Sequence, residues 1–198
     1  PGWAASGAAT ALVARPADGA LLGELAGVKD TPLGEALRAL ERKGFVLRDE
    51  SAQGAAAAGH RLAHATIQKV VYAGLSDEAR RTLHRRMGET LERSTSLARA
   101  HIEELARHFL RAGEPERGIK YGMEAGRELM RIYANDQALA LFQGLLGLEG
   151  LPDAAVPEIA ALAGEIHRLV GRFDDSLAMF ERALAKLDAG DPKRGQVY

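Results

Sequence analysis

Asp30-Thr31-Pro32-Leu33-Gly34-Glu35-Ala36-Leu37-Arg38-Ala39-Leu40-Glu41-Arg42-Lys43-Gly44-Phe45-Val46-Leu47-Arg48-Asp49 contains a helix, its stop and the start of a strand. Asp30 and Thr31 read as a cap and Pro32 as a first-turn residue, where the missing proline N–H costs nothing. Leu33, Leu37 and Leu40 recur at helical spacing and form one apolar face. With Lys43 as the last cap residue, Gly44 stands where the backbone must turn left-handed, and Phe45 can fold back onto Leu40 in a Schellman stop. Phe45 to Asp49 then reads as a short strand. Its partner is Arg61-Leu62-Ala63, across a Gly/Ala-rich stretch from Glu50 to His60 that has no periodicity.

Upstream, Leu21, Leu22 and Leu25 have helical spacing, with Val28 just after Gly27. Helix, helix, then hairpin is a winged-helix order, and Ser51 to Gly59 would be the wing tip. Downstream, Ile67, Val70, Val71 and Leu75 share a helical face. Ser76-Asp77-Glu78 opens a further helix through Leu83, Met87 and Leu91, its carboxylates set against the positive end of the helix dipole.

Beyond about Arg93 strand signals vanish, and helices alternate with breaks at Gly113-Glu114-Pro115, Asn135-Asp136, Gly150-Leu151-Pro152 and Gly171-Arg172-Phe173. Paired amphipathic helices of this length suggest a solenoid. Gly164, Gly171, Ser176, Phe180 and Ala183 fit the tetratricopeptide spacing, with small residues where two helices meet and Phe180 filling the groove. A weaker copy runs Leu105, Ala106, Phe109, Gly113, Gly118 and Ala125. Between them, helices carrying Tyr133, Ala138, Phe142 and Leu145 form an irregular unit with no fixed register from 127 to 160. The expected fold is therefore mainly α: a lead-in at 1–14, a winged-helix domain with a small β-hairpin at 15–92, a linker at 93–99, a tetratricopeptide-like array at 100–190 and a tail at 191–198.

Composition narrows the function. With 46% hydrophobic and only 5% aromatic residues, the core must be aliphatic. The 26 basic and 27 acidic residues leave a net charge of −1, which removes a general positive field as a reason to bind nucleic acid. Zero cysteines exclude disulfides, thiolate zinc sites and a cysteine nucleophile. No apolar run is long enough for a membrane helix and no signal-like segment opens the chain, so the cytoplasm is the default location. Starting at Pro1 and ending Gly195-Gln196-Val197-Tyr198, the chain reads as a piece of something longer.

No phosphate loop, dinucleotide fingerprint, nucleophile elbow or kinase signature occurs, so neither an enzyme nor a cofactor is expected. Of the six histidines, His60 and His64 are separated by strand geometry. His84 and His108 sit beside core faces and are expected to hydrogen-bond inside helix junctions rather than hold a metal. Asp174-Asp175 marks a helix start.

Binding surfaces are the remaining candidates. Arg80, Arg81, Arg85 and Arg86 form the densest positive patch, able to hold phosphate or an acidic neighbour domain, or else to be a solvated face paired with Glu78, Glu89 and Glu92. Arg107 and Arg111, with Arg127, Arg131, Glu103, Glu124 and Glu128, give the array a mixed-charge surface suited to a polar or peptide partner. For DNA the candidates are Lys29, Arg38, Arg42 and Lys43, but Glu35 and Glu41 on the same helix speak against a nucleic-acid partner. Gly118, Gly122, Ala125 and Gly126 read as a seam for close helix crossing.

Arg61-Leu62-Ala63-His64-Ala65-Thr66-Ile67-Gln68-Lys69-Val70-Val71-Tyr72, then Leu75-Ser76, Arg80-Arg81-Thr82-Leu83-His84, Glu104-Leu105-Ala106-Arg107-His108-Phe109, and Ile119-Lys120-Tyr121 with Ala125-Gly126, form an ordered series. It resembles the region behind the nucleotide-binding module of bacterial signal-transduction ATPases with numerous domains, over roughly residues 16 to 188. Leu62 and Ala63 depart from that pattern, standing where the family usually carries an aromatic residue and Arg. The resemblance implies a winged helix that rests on an ATPase core in the parent protein, followed by a sensor or scaffold array. Such parents often carry kinase, cyclase or DNA-binding output domains. The partner is then a protein or the parent's own ATPase domain, met through an apolar or arginine-rich surface on the Thr31–Lys43 or Ser76–Leu91 helix.

Overall fold

Helix α1 (Asp30–Arg42) ends as its sequence demands. Gly44 has φ 72°, its N–H donates to the Glu41 carbonyl at 2.9 Å, and the Phe45 N–H reaches back to the Leu40 carbonyl at 3.0 Å. Those two bonds satisfy carbonyls that the helix leaves open and turn the chain into a strand. The helix begins at Asp30 itself, so Pro32 is its third residue, still within the turn whose N–H groups have no partner.

The computed structural model describes residues 22–23, 30–49, 59–93, 101–188 and 190–196. They are mainly helical, with one two-stranded antiparallel sheet. Two compact units emerge: residues 1–98 with 111–113, and residues 99–110 with 114–198. The lead-in at 1–14 lies outside the described residues, and the first winged-helix helix, expected around Leu21, Leu22 and Leu25, is represented by Leu22, helical and buried, and Gly23. Its remainder, Lys29, the wing tip at 51–58 and the stretch 94–100 lie outside the described residues.

In the first unit, β1 (Val46–Asp49) pairs with β2 (Gly59–Leu62), with Val46 opposite Leu62 and Arg48 opposite His60. The partner strand begins two residues earlier than its sequence suggests, and the Ala63 N–H extends the pairing to the Phe45 carbonyl at 3.0 Å. Helices α2 (Ala65–Ala73) and α3 (Asp77–Arg93) follow, and Ser76 caps α3 by accepting the Ala79 N–H at 3.2 Å. Leu33, Leu37, Leu40 and Val46 are buried, as are Leu83, Met87 and Leu91 along one stripe of α3.

The second unit comprises α4 (Ile102–Ala112) up to Leu110, α5 (Pro115–Arg131), α6 (Asn135–Leu146), α7 (Val156–Leu169) and α8 (Phe173–Leu184). Short 3₁₀ turns lie at Asp153–Ala155 and Pro192–Gln196. Ile119, Phe142, Leu145, Ile159 and Ile166 anchor its aliphatic core. Residues 113–114, 132–134 and 170–172 are tight reversals, whereas 147–155 is a longer link, which is why no single repeat period spans both ends.

Close approach is set by bare backbone. A Cβ on Gly118 would lie 2.5 Å from Leu110, on Gly126 2.3 Å from Phe142, and on Gly164 2.8 Å from Phe180. Ser176 adds a buried hydrogen bond from its hydroxyl to the Gly164 carbonyl at 2.9 Å. The small-residue seam is packing, as its sequence suggests. Tyr133 differs from expectation: it lies beyond the end of α5 with φ 59° and is 86% exposed, so it is a helix stop and not part of a helix face. Its N–H donates to Met130 and that of Ala134 to Leu129, the same exchange as at Gly44. Asn135-Asp136, read as a break, is instead the first turn of α6.

Tyr133→Gly should raise unfolding stability by about 0.5–1 kcal/mol, because a left-handed backbone strains any residue with a Cβ; a denaturant midpoint unchanged or lower would refute the assignment. Gly126→Ala should cost about 1–3 kcal/mol through overpacking against Phe142. Gly144→Ala, with open space around its Cβ, should stabilise by about 0.5–1 kcal/mol; paired urea titrations separate the two effects.

Candidate partner-binding cleft

Thr66, Ile67, Val70, Val71 and Gly74 recur at i, i+1, i+4, i+5 and i+8, so they line one face of α2 and its C-terminal cap. Opposite them stand Leu40 from α1, Phe45 and Val46 at the start of β1, and Leu62 at the end of β2. Leu75 closes one end. The result is an open cleft of about 520 Å³, within the size range of ligand pockets. Thr66 is the one lining residue with a polar side chain. Val70 is 66% exposed and Phe45 44%, so the lip is apolar as well.

Each strand has four residues, and the hairpin reaches the cleft through Phe45, Val46 and Leu62 at one end. Ile67, Val70, Val71 and Leu75 are legible in the sequence as an apolar face. That Leu40, Phe45, Val46 and Leu62 stand with it around one cleft is set by the tertiary fold and carries no spacing signal of its own.

Among the described residues no charged side chain lines the cleft. Arg48 and Lys43 follow and precede its Phe45–Val46 lip in sequence and are exposed, whereas Arg61 shares the hairpin face of exposed Leu47, opposite to that of Leu62. Glu41 pairs with His60 at 3.2 Å and Asp77 with Arg80 at 3.2 Å. In the second unit Arg107, Arg117, Arg127, Arg131 and Arg168 each face a glutamate. The Arg168 pair holds the Glu165 carboxyl below the usual range, chiefly by its hydrogen bond.

Arginines expected to act as one patch divide into different roles. Arg80 donates to the Tyr72 and Ala73 carbonyls at 3.1 and 2.8 Å, which caps the C-terminus of α2, and stacks over the Tyr72 ring. It is neither a solvated face residue nor a partner of Glu78; its carboxylate is Asp77. Arg81 and Arg85 are exposed one turn apart on α3, and Arg86 is half-buried. Arg107 and Arg111 are exposed on α4, with Arg107 3.7 Å from Glu104. Of the DNA candidates, Arg38 and Arg42 are exposed along α1 with Glu35 and Lys43 is exposed just beyond its end, while Glu41 is drawn into its pair with His60.

Histidines are more supported by carboxylates than their spacing suggests. Buried His84 accepts or donates a 2.9 Å hydrogen bond with the Tyr72 hydroxyl. His101 and buried His108 flank Glu104 at 3.5 and 3.6 Å, and His167 lies 3.7 Å from Asp175. Among the described residues no three His, Asp or Glu side chains could hold a metal ion together, and no helix is long and apolar enough to cross a membrane. The chain matches no protein-family model, no curated protein and no solved structure.

Arg80→Ala should destabilise the first unit by about 1–2 kcal/mol, the scale for charged hydrogen bonds to otherwise open carbonyls. Arg81→Ala should stay within about 0.5 kcal/mol of the parent. Equal thermal shifts for the two variants would contradict the separate roles.

Proposed function

We propose that this chain is a non-catalytic regulatory and protein-interaction piece of a multidomain signalling ATPase, a winged helix followed by tetratricopeptide-like repeats. One joint carries the reading. Tyr72 closes one of the sequence phrases resembling signal-transduction ATPases, and Arg80 and His84 bracket the next. In the fold these residues meet, with the Tyr72 hydroxyl on His84 and the Arg80 guanidinium on the Tyr72 ring and carbonyl. Leu105, Ala106, His108 and Phe109, from a third phrase, are all buried. The phrases are therefore framework contacts, and a shared framework is what a family resemblance between such phrases would preserve.

Further support comes from element order and packing. Helix, hairpin and two helices in the first unit are compatible with a winged helix, and the Gly164–Phe180 contact with the Ser176 hydrogen bond fits a tetratricopeptide helix pair. The mechanism we favour is contact-based: the array binds a partner and the first unit meets the ATPase core. Of the two helices expected to make that contact, α1 is polar outside, and α3 offers Arg81 and Arg85. Exposed Phe45 and Val70 put an apolar surface along α2 as well.

A DNA-binding regulator is the second reading, favoured by exposed Arg38 and Arg42 on α1 and Lys43 just beyond it. Exposed Glu35 and an apolar cleft beside that helix weigh against it. Immobilised chain exposed to an extract of the source cell should retain a protein bearing an ATPase or kinase domain, with retention unaffected by nuclease. Recovery of nucleic acid alone, with duplex affinity falling steeply with salt and lost in Arg38→Ala/Arg42→Ala, would replace the first reading by the second.

A further inference from the structure

We propose that the outer face of α8 is the seat for a further helix pair, presented by a partner protein and stacked on α7–α8 as α7–α8 is stacked on α5–α6. The proposal rests on reading the chain as an interaction module, and it gives the partner of the array a place and a build.

The backbones of the two helix pairs repeat one another at a spacing of 38 residues. Gly126 lies against Phe142 and Gly164 against Phe180, each too close for a Cβ. The left-handed residues Tyr133 and Gly171 hold equivalent places, and so do the hydrogen bonds around them. The N–H groups of Ile132, Tyr133, Ala134 and Ala138 donate to the carbonyls of Glu128, Met130, Leu129 and Ala134. Those of Val170, Gly171, Arg172 and Ser176 donate to Ile166, Arg168, His167 and Arg172. At the far ends Gly147 donates to Gln143 and Ala185 to Glu181. Each bond recurs 38 residues on, so every residue of α8 has a counterpart in α6.

Burial departs from that match along one stripe. Leu139, Phe142 and Leu146 recur at i, i+3 and i+7 on α6 and are buried, with Leu139 only 6% exposed. Their counterparts are Leu177, Phe180 and Leu184, of which Leu177 is 59% exposed and the other two half-buried. Phe173, one turn earlier on the same stripe, is 69% exposed. The cover of the α6 stripe identifies what α8 lacks. Leu139, Phe142 and Leu146 share a core with Val156, Ile159, Ala160 and Ala163 of α7, the helix packed against α6. Those four recur at i, i+3, i+4 and i+7 and are β-branched or small, which lets one helix close on the large side chains of another. In a stacked array each pair contacts only its neighbours, so the same pattern on an incoming helix fits Leu177, Phe180 and Leu184. A second copy of this chain could not supply it, because that face of its own α7 already packs on α6.

The probe is a labelled peptide copying residues 149–186 with Leu177→Lys, so that its α7 face is open and its own α8 stripe is blocked. Fluorescence anisotropy with the full chain should show saturable binding. Affinity should fall at least tenfold in chains carrying Leu177→Lys or Phe173→Ser and stay unchanged in Leu47→Ser. All three positions are exposed, and circular dichroism and urea midpoints of the variants should match the parent. A second measurement removes any dependence on how the free peptide folds: the same 38 residues are joined after Lys186, which keeps the natural spacing. Its urea midpoint should exceed the parent's, and Leu177→Lys in the inner copy should abolish the gain. A positive result in either measurement, lost in Leu177→Lys, upholds the proposal, and failure of both overturns it. Peptide binding indifferent to Leu177→Lys also overturns it, since the peptide would then be replacing α7 on Leu139. Self-association of the full chain that Leu177→Lys removes, with no peptide bound, makes the face a contact between copies and overturns the partner assignment. Failure of both measurements with protein capture from extract intact sinks the α8 seat alone; loss of capture as well sinks the interaction reading with it.

Discussion

At Gly44, Tyr133 and Gly171 the chain turns left-handed for one residue, and the next N–H reaches back to a carbonyl in the last turn of the helix just completed. Gly113 and Glu114 do the same after α4. Each reversal decides which side of the helix receives the following element. After α1 it delivers Phe45 and Val46 beside Leu40, and after α7 it delivers Ser176 and Phe180 onto Gly164. A helix that ran on by one more turn would carry those side chains away from the faces they cover.

Much of this was readable in the residues, because glycine announces a left-handed stop and leucine spacing announces a buried face. Gly44, Gly113 and Gly171 mark their reversals, Gly118 and Gly126 their close crossings, and Ser76 its cap. Tyr133 was not readable, since a residue that strains its backbone gives no compositional sign; only the neighbouring hydrogen bonds require it. Arg80 was equally opaque. Four arginines in one helix look alike as letters, and the carbonyls that single out one of them belong to the end of another helix. The cleft was legible only as an apolar face of α2, because the side chains across from it, Leu40, Phe45, Val46 and Leu62, come from elements brought there by the tertiary fold.

Electrostatics divide the chain in a way that net charge hides. In the second unit Arg107, Arg117, Arg131 and Arg168 each stand about one turn from a glutamate, and such pairs contribute little stability. By sequence the first unit carries an excess of basic residues and the second of acidic ones, so the near-zero total is a balance between unlike parts.

The interlock between α7 and α8 also bears on how the second unit forms. Ser176 and Gly164 are 12 residues apart, and the hydrogen bond between them is buried. Closing so short a loop costs little chain entropy, and the contact needs no other helix in place. A hairpin of this kind can act as a nucleus on which α6 and then α5 condense, so the unit would grow by accretion from one end rather than by simultaneous collapse. Its slowest amide exchange would then be found in α7, whose Ile159, Ala160 and Ala163 have no exposed surface.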